Sequence, residues 1–124
     1  MLDKLGKYIG AGGCRKVYEH KDNPEWVIKV AKSPRKVVAN RSEWNVWQAL
    51  KDTPEAKYLA PCIEIAENNK WLIQMKAKPA TKVFRSEEVR WWMKDFKLVN
   101  MGMLGDRLVF VDYDHPHIAA KLGI

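Results

Sequence analysis

Short apolar runs, separated by glycines and by an Asp-Asn-Pro signal, fill the opening of the chain and predict strands over residues 5–9, 15–20 and 26–31. In the third run Trp26, Ile28 and Val30 alternate with Val27, Lys29 and Ala31, so Lys29 shares a strand face with two apolar neighbours. After the Ser33-Pro34 break the spacing lengthens: Val38, Trp44, Trp47 and Leu50 predict a helix over residues 37–50, which Thr53-Pro54 ends. Two further apolar runs, 63–66 and 71–75, flank Asn68-Asn69 and read as a hairpin. Ser86 is a suitable N-cap and Glu87 and Glu88 suit a first helical turn, which predicts a short helix toward Met93 with Val89, Trp92 and Met93 packed on the sheet. Leu104-Gly105-Asp106-Arg107 then reads as a tight turn between two apolar runs, the second ending at Asp112. His115-Pro116-His117 reads as a surface turn before a short apolar tail. The pattern as a whole predicts an α+β fold, an antiparallel sheet with one main helix followed by a short helix and a hairpin.

A chain of 124 residues fits one domain, able to bury roughly two-thirds of its unfolded surface. With 47% hydrophobic and 30% charged residues the composition is that of a soluble globular protein, and no apolar run reaches the ~18–20 residues of a membrane span. The first residues, MLDKLGKYIG, have no apolar core of signal-peptide length, so a cytoplasmic protein without a membrane partner is expected. Cys14 and Cys62 form no C-x-x-C, and His115 and His117 have no third ligand near in sequence, so neither a disulfide framework nor a zinc site is expected. The formal net charge of +7 points to an anionic partner: nucleotide, nucleic acid or acidic protein.

Four features carry candidate chemistry. Gly10, Gly12 and Gly13 sit at the tip of the first hairpin, where glycine lets backbone N–H groups approach a phosphate with no side chain in the way. Lys29, one strand later, is placed for a phosphate contact and needs an acid to hold it; Glu43, set between apolar helix positions, is suited to be a partly buried, paired carboxylate. Asp95, Lys97 and Asn100 form D-x-K-x-x-N, and Asp112 follows at a strand end, so that proton-handling and metal-handling groups gather on one side of a small hairpin. Finally, Trp91 and Trp92 are adjacent and cannot both face one side of a helix, so one is either buried by another element or exposed, and an exposed Trp is a favoured interface anchor.

The Asp95 to Asp114 stretch resembles the catalytic-loop and metal-loop segments of protein kinases and of the aminoglycoside-phosphotransferase type of small-molecule kinase. The pattern G-x-G-G-x-R-x-V-Y leading to V-I-K-V-A is similar to that of small kinase-like proteins encoded by phages, the podovirus early protein kinase type. The resemblance implies a single minimal kinase-like domain, with residues 1–79 as the N-lobe-like part and 80–124 as a severely reduced C-lobe-like part. It further implies ATP and magnesium as cofactors. Gly10, Gly12, Gly13, Val17, Lys29, Glu43 and Met75 would serve the nucleotide, with Glu43 holding Lys29 and the adenine meeting backbone around Gln74 to Lys76. Asn100 and Asp112 would hold magnesium, Asp95 would orient the acceptor hydroxyl, and Lys97 would offset charge on the moving phosphoryl group. The chain departs from the family pattern at Arg15, which stands for the third loop glycine, at Met93-Lys94 before Asp95, and at Tyr113-Asp114 after Asp112. Nothing beyond Asp114 corresponds to an activation segment or to peptide-docking helices. The function implied is an ATP-dependent phosphotransferase, a serine/threonine protein kinase among the options, acting on a host target in the host cytoplasm. The alternative is a kinase-fold protein without turnover that binds and inhibits a host protein. Nucleic acid is not expected as a partner, because no RNA- or DNA-binding motif appears and the acids of the site oppose it.

Overall fold

The computed structural model describes every residue, Met1–Ile124. Five strands, β1 (Leu5–Ala11), β2 (Arg15–His20), β3 (Trp26–Ala31), β4 (Cys62–Ile65) and β5 (Trp71–Met75), form an antiparallel sheet in the order β1-β2-β3-β5-β4. The helix α1 (Val37–Leu50) connects β3 to the last two strands of this sheet. Its buried stripe is Ala39, Asn40, Glu43, Val46 and Leu50, so the face turned inward is offset from the Val38, Trp44, Trp47, Leu50 stripe expected from hydrophobicity. Val38 is exposed, and Trp44 and Trp47 lie partly buried at the margin of the core. The offset follows from electrostatics: Glu43 and Asn40 are drawn inward because buried cations await them, which an apolar periodicity does not register. Asn69, at the turn between β4 and β5, adopts φ 63°, a left-handed conformation that asparagine tolerates.

A second sheet, β6 (Lys78–Pro79), β7 (Met101–Leu104) and β8 (Arg107–Phe110), is also antiparallel and runs β6-β7-β8. Leu104 pairs with Arg107 across a two-residue turn whose Gly105 has φ 65°. Gly102 is needed for a different reason: a Cβ there would stand 2.7 Å from Ala77 Cβ and 2.9 Å from Lys78 O, so only glycine lets β6 lie against β7.

Two expectations fail in the later part of the chain. The helix expected from Ser86 to Met93 is a single 3-10 turn, Ser86–Glu88, and Val89 is exposed instead of packed on the sheet. Beyond that turn the backbone is held by side chains: Glu55 accepts from Arg90 Nε and Nη2, both at 2.8 Å, and from Trp92 Nε1 at 2.6 Å, which seats Trp92 fully in the core. Conversely, the apolar tail is a helix, α2 (Pro116–Leu122), and not a turn with a loose end. His115 caps it by accepting from the His117 N–H at 3.1 Å, Pro116 occupies the first turn, and Gly123 ends it at φ 72°.

One core joins these parts. Val46 and Leu50 from α1, Cys62 and Leu72 from the larger sheet, and Leu59 from the link between them pack with Trp92, Met101, Phe110, Tyr113 and Ile118 from the later segments. Full burial of an aliphatic or aromatic side chain contributes about 1.5–3 kcal/mol each, so this packing favours the segment after residue 80 lying against the sheet. The architecture is α+β, with antiparallel sheets and two helices, and no helix is long and apolar enough to cross a membrane.

Candidate nucleotide and metal site

Lys29 projects from the middle of β3 onto the face that meets the Val111–Asp114 segment, and it is almost wholly buried there. Its Nζ donates to Glu43 Oε1 at 2.5 Å, to Asp112 Oδ1 at 3.1 Å and to the Val111 carbonyl, so all three ammonium protons are engaged. Glu43 has no solvent exposure, and it also accepts from Arg15 Nη1 at 2.9 Å and from the Tyr113 backbone N–H at 2.7 Å. Arg15, at the start of β2, continues to Asp112 Oδ1 at 3.0 Å, Asp114 Oδ1 at 3.4 Å and Asn40 Oδ1 at 3.3 Å. Two cations and three carboxylates therefore interlock where β2, β3, α1 and the strand exit after β8 meet.

The charges tune one another. Burial alone would raise the Asp112 carboxyl, but Lys29 and Arg15 hold it below the ordinary aspartate value. For Asp114 burial and the neighbouring Glu43 win over Arg15, and its carboxyl is raised. Burial works against the Arg15 guanidinium, yet Glu43, Asp114 and Asp112 together raise it, so it stays charged at any working pH. Behind this cluster the Tyr113 hydroxyl donates to Ala60 O at 2.8 Å and lies 3.1 Å from Cys62 Sγ; burial foremost pushes the Cys62 thiol up to about 12, leaving it protonated and unreactive.

A cleft of about 490 Å³ opens in front of Lys29, within the range of small-ligand sites. Gly10, Gly12, Gly13, Val17, Lys29, Met75, Asn100 and Asp112 all line it. Cβ atoms added at Gly10, Gly12 or Gly13 would meet nothing within 4 Å and none of the three has a positive φ, so the protein itself does not demand glycine there. The glycine turn is tied down by Lys36 Nζ, which donates to Gly13 O at 2.7 Å. Glu43 is not a wall of the cleft; it lies behind Lys29 and fixes it. Asp95 and Lys97 are not walls either. Asp95 has φ 60° and its carbonyl accepts from Asn100 Nδ2 at 3.1 Å, while the Lys97 side chain is exposed. The structure therefore leaves Asp95 and Lys97 outside the cleft that the other candidate residues line.

Asp112 and Asn100 present a carboxylate and an amide oxygen on one wall, a donor set that suits a hard cation. No group of three or more His, Cys, Asp or Glu side chains could hold a metal. Magnesium, which keeps several waters and takes one or two carboxylates together with substrate phosphates, fits that chemistry; an all-protein cage does not. Arg15 and Asp114 are the residues that sequence reasoning missed, having been counted as departures from a pattern. Arg15 carried one signal, a charged residue opening a strand directly beside the glycine cluster.

No protein family, no curated protein and no solved structure matches the chain.

Proposed function

We propose that the chain is a minimal ATP- and magnesium-dependent phosphotransferase of kinase-like architecture, transferring a phosphoryl group to a hydroxyl of a host target. One observation carries the reading: a buried lysine, held by a helix glutamate and touching Asp112, stands at the base of a cleft whose rim is a glycine turn. The Gly10–Gly13 backbone would receive the phosphates, with Lys29 exchanging its bond to Asp112 for one to a phosphate oxygen as Asp112 turns to magnesium, and Met75 and Val17 would flank the base. Asp112 and Asn100 would hold magnesium, which supplies charge neutralisation to the phosphates when bound. Glu43 and Arg15 keep Lys29 and Asp112 in place as ligand arrives. Asp95, beside Asn100, would orient the acceptor hydroxyl, and Lys97 would approach from solvent.

The position of Asp95 outside the cleft walls, together with Trp91 at 59% exposure, favours a second reading in which the same nucleotide-binding fold occupies a host protein without turnover. Thermal melting tests the shared premise. Millimolar ATP with magnesium should raise the melting temperature, since a ligand bound only by the folded state stabilises it by mass action. Lys29→Ala should reduce that shift. No shift with either ligand in the wild type would overturn the nucleotide reading.

A further inference from the structure

The stretch between Glu25 and Glu43 contains no acid, and it brings Lys32, Arg35 and Lys36 to the end of the larger sheet where β1 turns into β2 through the glycine cluster. Hydrogen bonds fix them there. The Lys32 N–H donates to Cys14 O at 2.9 Å and Lys36 Nζ donates to Gly13 O, while the Ala31 N–H donates to Lys70 O at 2.9 Å, which sets Lys70 beside the same rim. All four residues are exposed. Elsewhere Lys4, Lys76, Arg85 and Arg90 each hold a carboxylate, but Lys32, Arg35, Lys36 and Lys70 hold none. Glu67, in the turn that carries Lys70, pairs with none of them, and the cleft acids Asp112 and Asp114 are taken by Lys29 and Arg15. Four like charges thus share one rim without an internal counterion, and a polyanion arriving from solvent would relieve their repulsion.

We propose that this basic rim docks an acidic segment of the polypeptide that receives the phosphoryl group. The proposal rests on the phosphotransferase reading only in calling that polypeptide the acceptor. Gly12 and Gly13 line the cleft together with Lys29 and Asp112, so a hydroxyl approaching a phosphate held there passes beside the rim. A polypeptide fits the surface better than a nucleic acid does. The adjoining aromatic, Trp71, is half-buried and gives a base no open ring to stack on, whereas Val38 in the first turn of α1 is 64% exposed and offers an apolar contact. Single exposed ion pairs are weak, but several in one place add up and steer the approach of an oppositely charged partner.

The test follows fluorescence anisotropy of labelled probes mixed with the full chain: a serine peptide flanked by glutamates, the same peptide with glutamines in their place, and a single-stranded oligodeoxynucleotide of equal charge. Wild type should bind the glutamate peptide on the order of tenfold more tightly than the glutamine peptide. That preference should vanish at about 1 M salt, where the screening length is ~3 Å. The triple variant Lys32→Glu/Arg35→Glu/Lys70→Glu should lose the preference without lowering the melting temperature, and ATP with magnesium should still raise it; Lys36 is left in place because it anchors the glycine turn. Equal binding of the two peptides by the wild type would overturn the proposal with no variant needed. A preference that survives in the triple variant would overturn it too, and tighter binding of the oligonucleotide than of the glutamate peptide would reassign the rim to nucleic acid. If ATP leaves melting unchanged while the peptide preference holds and is lost in the variant, the nucleotide reading falls and the rim stands as a docking surface for an acidic protein.

Discussion

Glu43 is the residue on which the charged cluster depends, because it alone is fully buried and bonded to both cations and to the Tyr113 backbone. Removing one partner of a buried ion pair leaves the others desolvated and uncompensated, at a cost of about 3–5 kcal/mol. Glu43→Ala should lower unfolding free energy by that amount in urea titrations, whereas the exposed pair of Lys4 with Asp22 should be worth little when either is removed. The same cluster sets an acid response. The folded-state value of Asp112 is lowered, so its contribution to stability is fully present above the ordinary 3.8 and is lost as pH falls through the lower folded value. Asp114 is raised, so it acts in the opposite sense, favouring the folded state more as pH falls toward 3.8. Urea unfolding of Asp112→Asn at several pH values should therefore show its deficit against wild type shrinking in acid; a deficit that stays constant would mean that Asp112 is held by something other than its charge.

At the scale of elements, the second sheet depends on a close approach and α2 on one large side chain. Gly102→Ala would drive a methyl into Ala77 Cβ and Lys78 O, overpacking that costs about 1–3 kcal/mol and separates β6 from β7. Ile118→Ala, emptying a site with no solvent exposure, should cost about 2–5 kcal/mol. Both are checked by chemical denaturation, and a near-neutral Ile118→Ala would show that α2 is not part of the common core. These elements also mark where the sequence was legible. Strands β2, β3 and β5, helix α1, and the Gly105-Asp106 turn were readable because alternation, helical spacing and turn chemistry are local. The 86–93 segment misled because Ser86 is not its N-cap: Arg85 holds that position, with its N–H donating to Glu88 for a single turn, and the path beyond is fixed by Glu55, distant in sequence. Helix α2 was missed because its cap is a histidine side chain and its apolar face is short, and the inward rotation of α1 was missed because it answers to Arg15 and Lys29 across the fold. The approach of Lys29 to Glu43 was anticipated through the kinase resemblance, but the share taken by Arg15 and Asp114 depends on three-dimensional closure.

For the molecule as a whole, catalyst and binder are separated by Asp95 and Trp91, which lie apart from the cleft and can be changed without disturbing it. Asp95 adopts φ 60°, a conformation that asparagine occupies readily, and its bond to Asn100 runs through the backbone carbonyl, so Asp95→Asn preserves shape and fold while removing charge. If Asp95 orients the acceptor, phosphate transfer from labelled ATP, autophosphorylation included, should fall by ~10²–10⁴-fold with melting and nucleotide affinity unchanged. Trp91 is 59% exposed, and Lys121 bonds its backbone carbonyl and not its ring, so Trp91→Ala removes an apolar anchor at small cost to the fold. The two variants are to be compared for transfer and for the protein's effect on its host cell. Loss of both in Asp95→Asn, with Trp91→Ala retaining turnover, makes the phosphotransferase the working agent. An effect that persists in Asp95→Asn and disappears in Trp91→Ala makes occupation of a partner the biological role, with the cleft serving to bind a nucleotide and not to spend it.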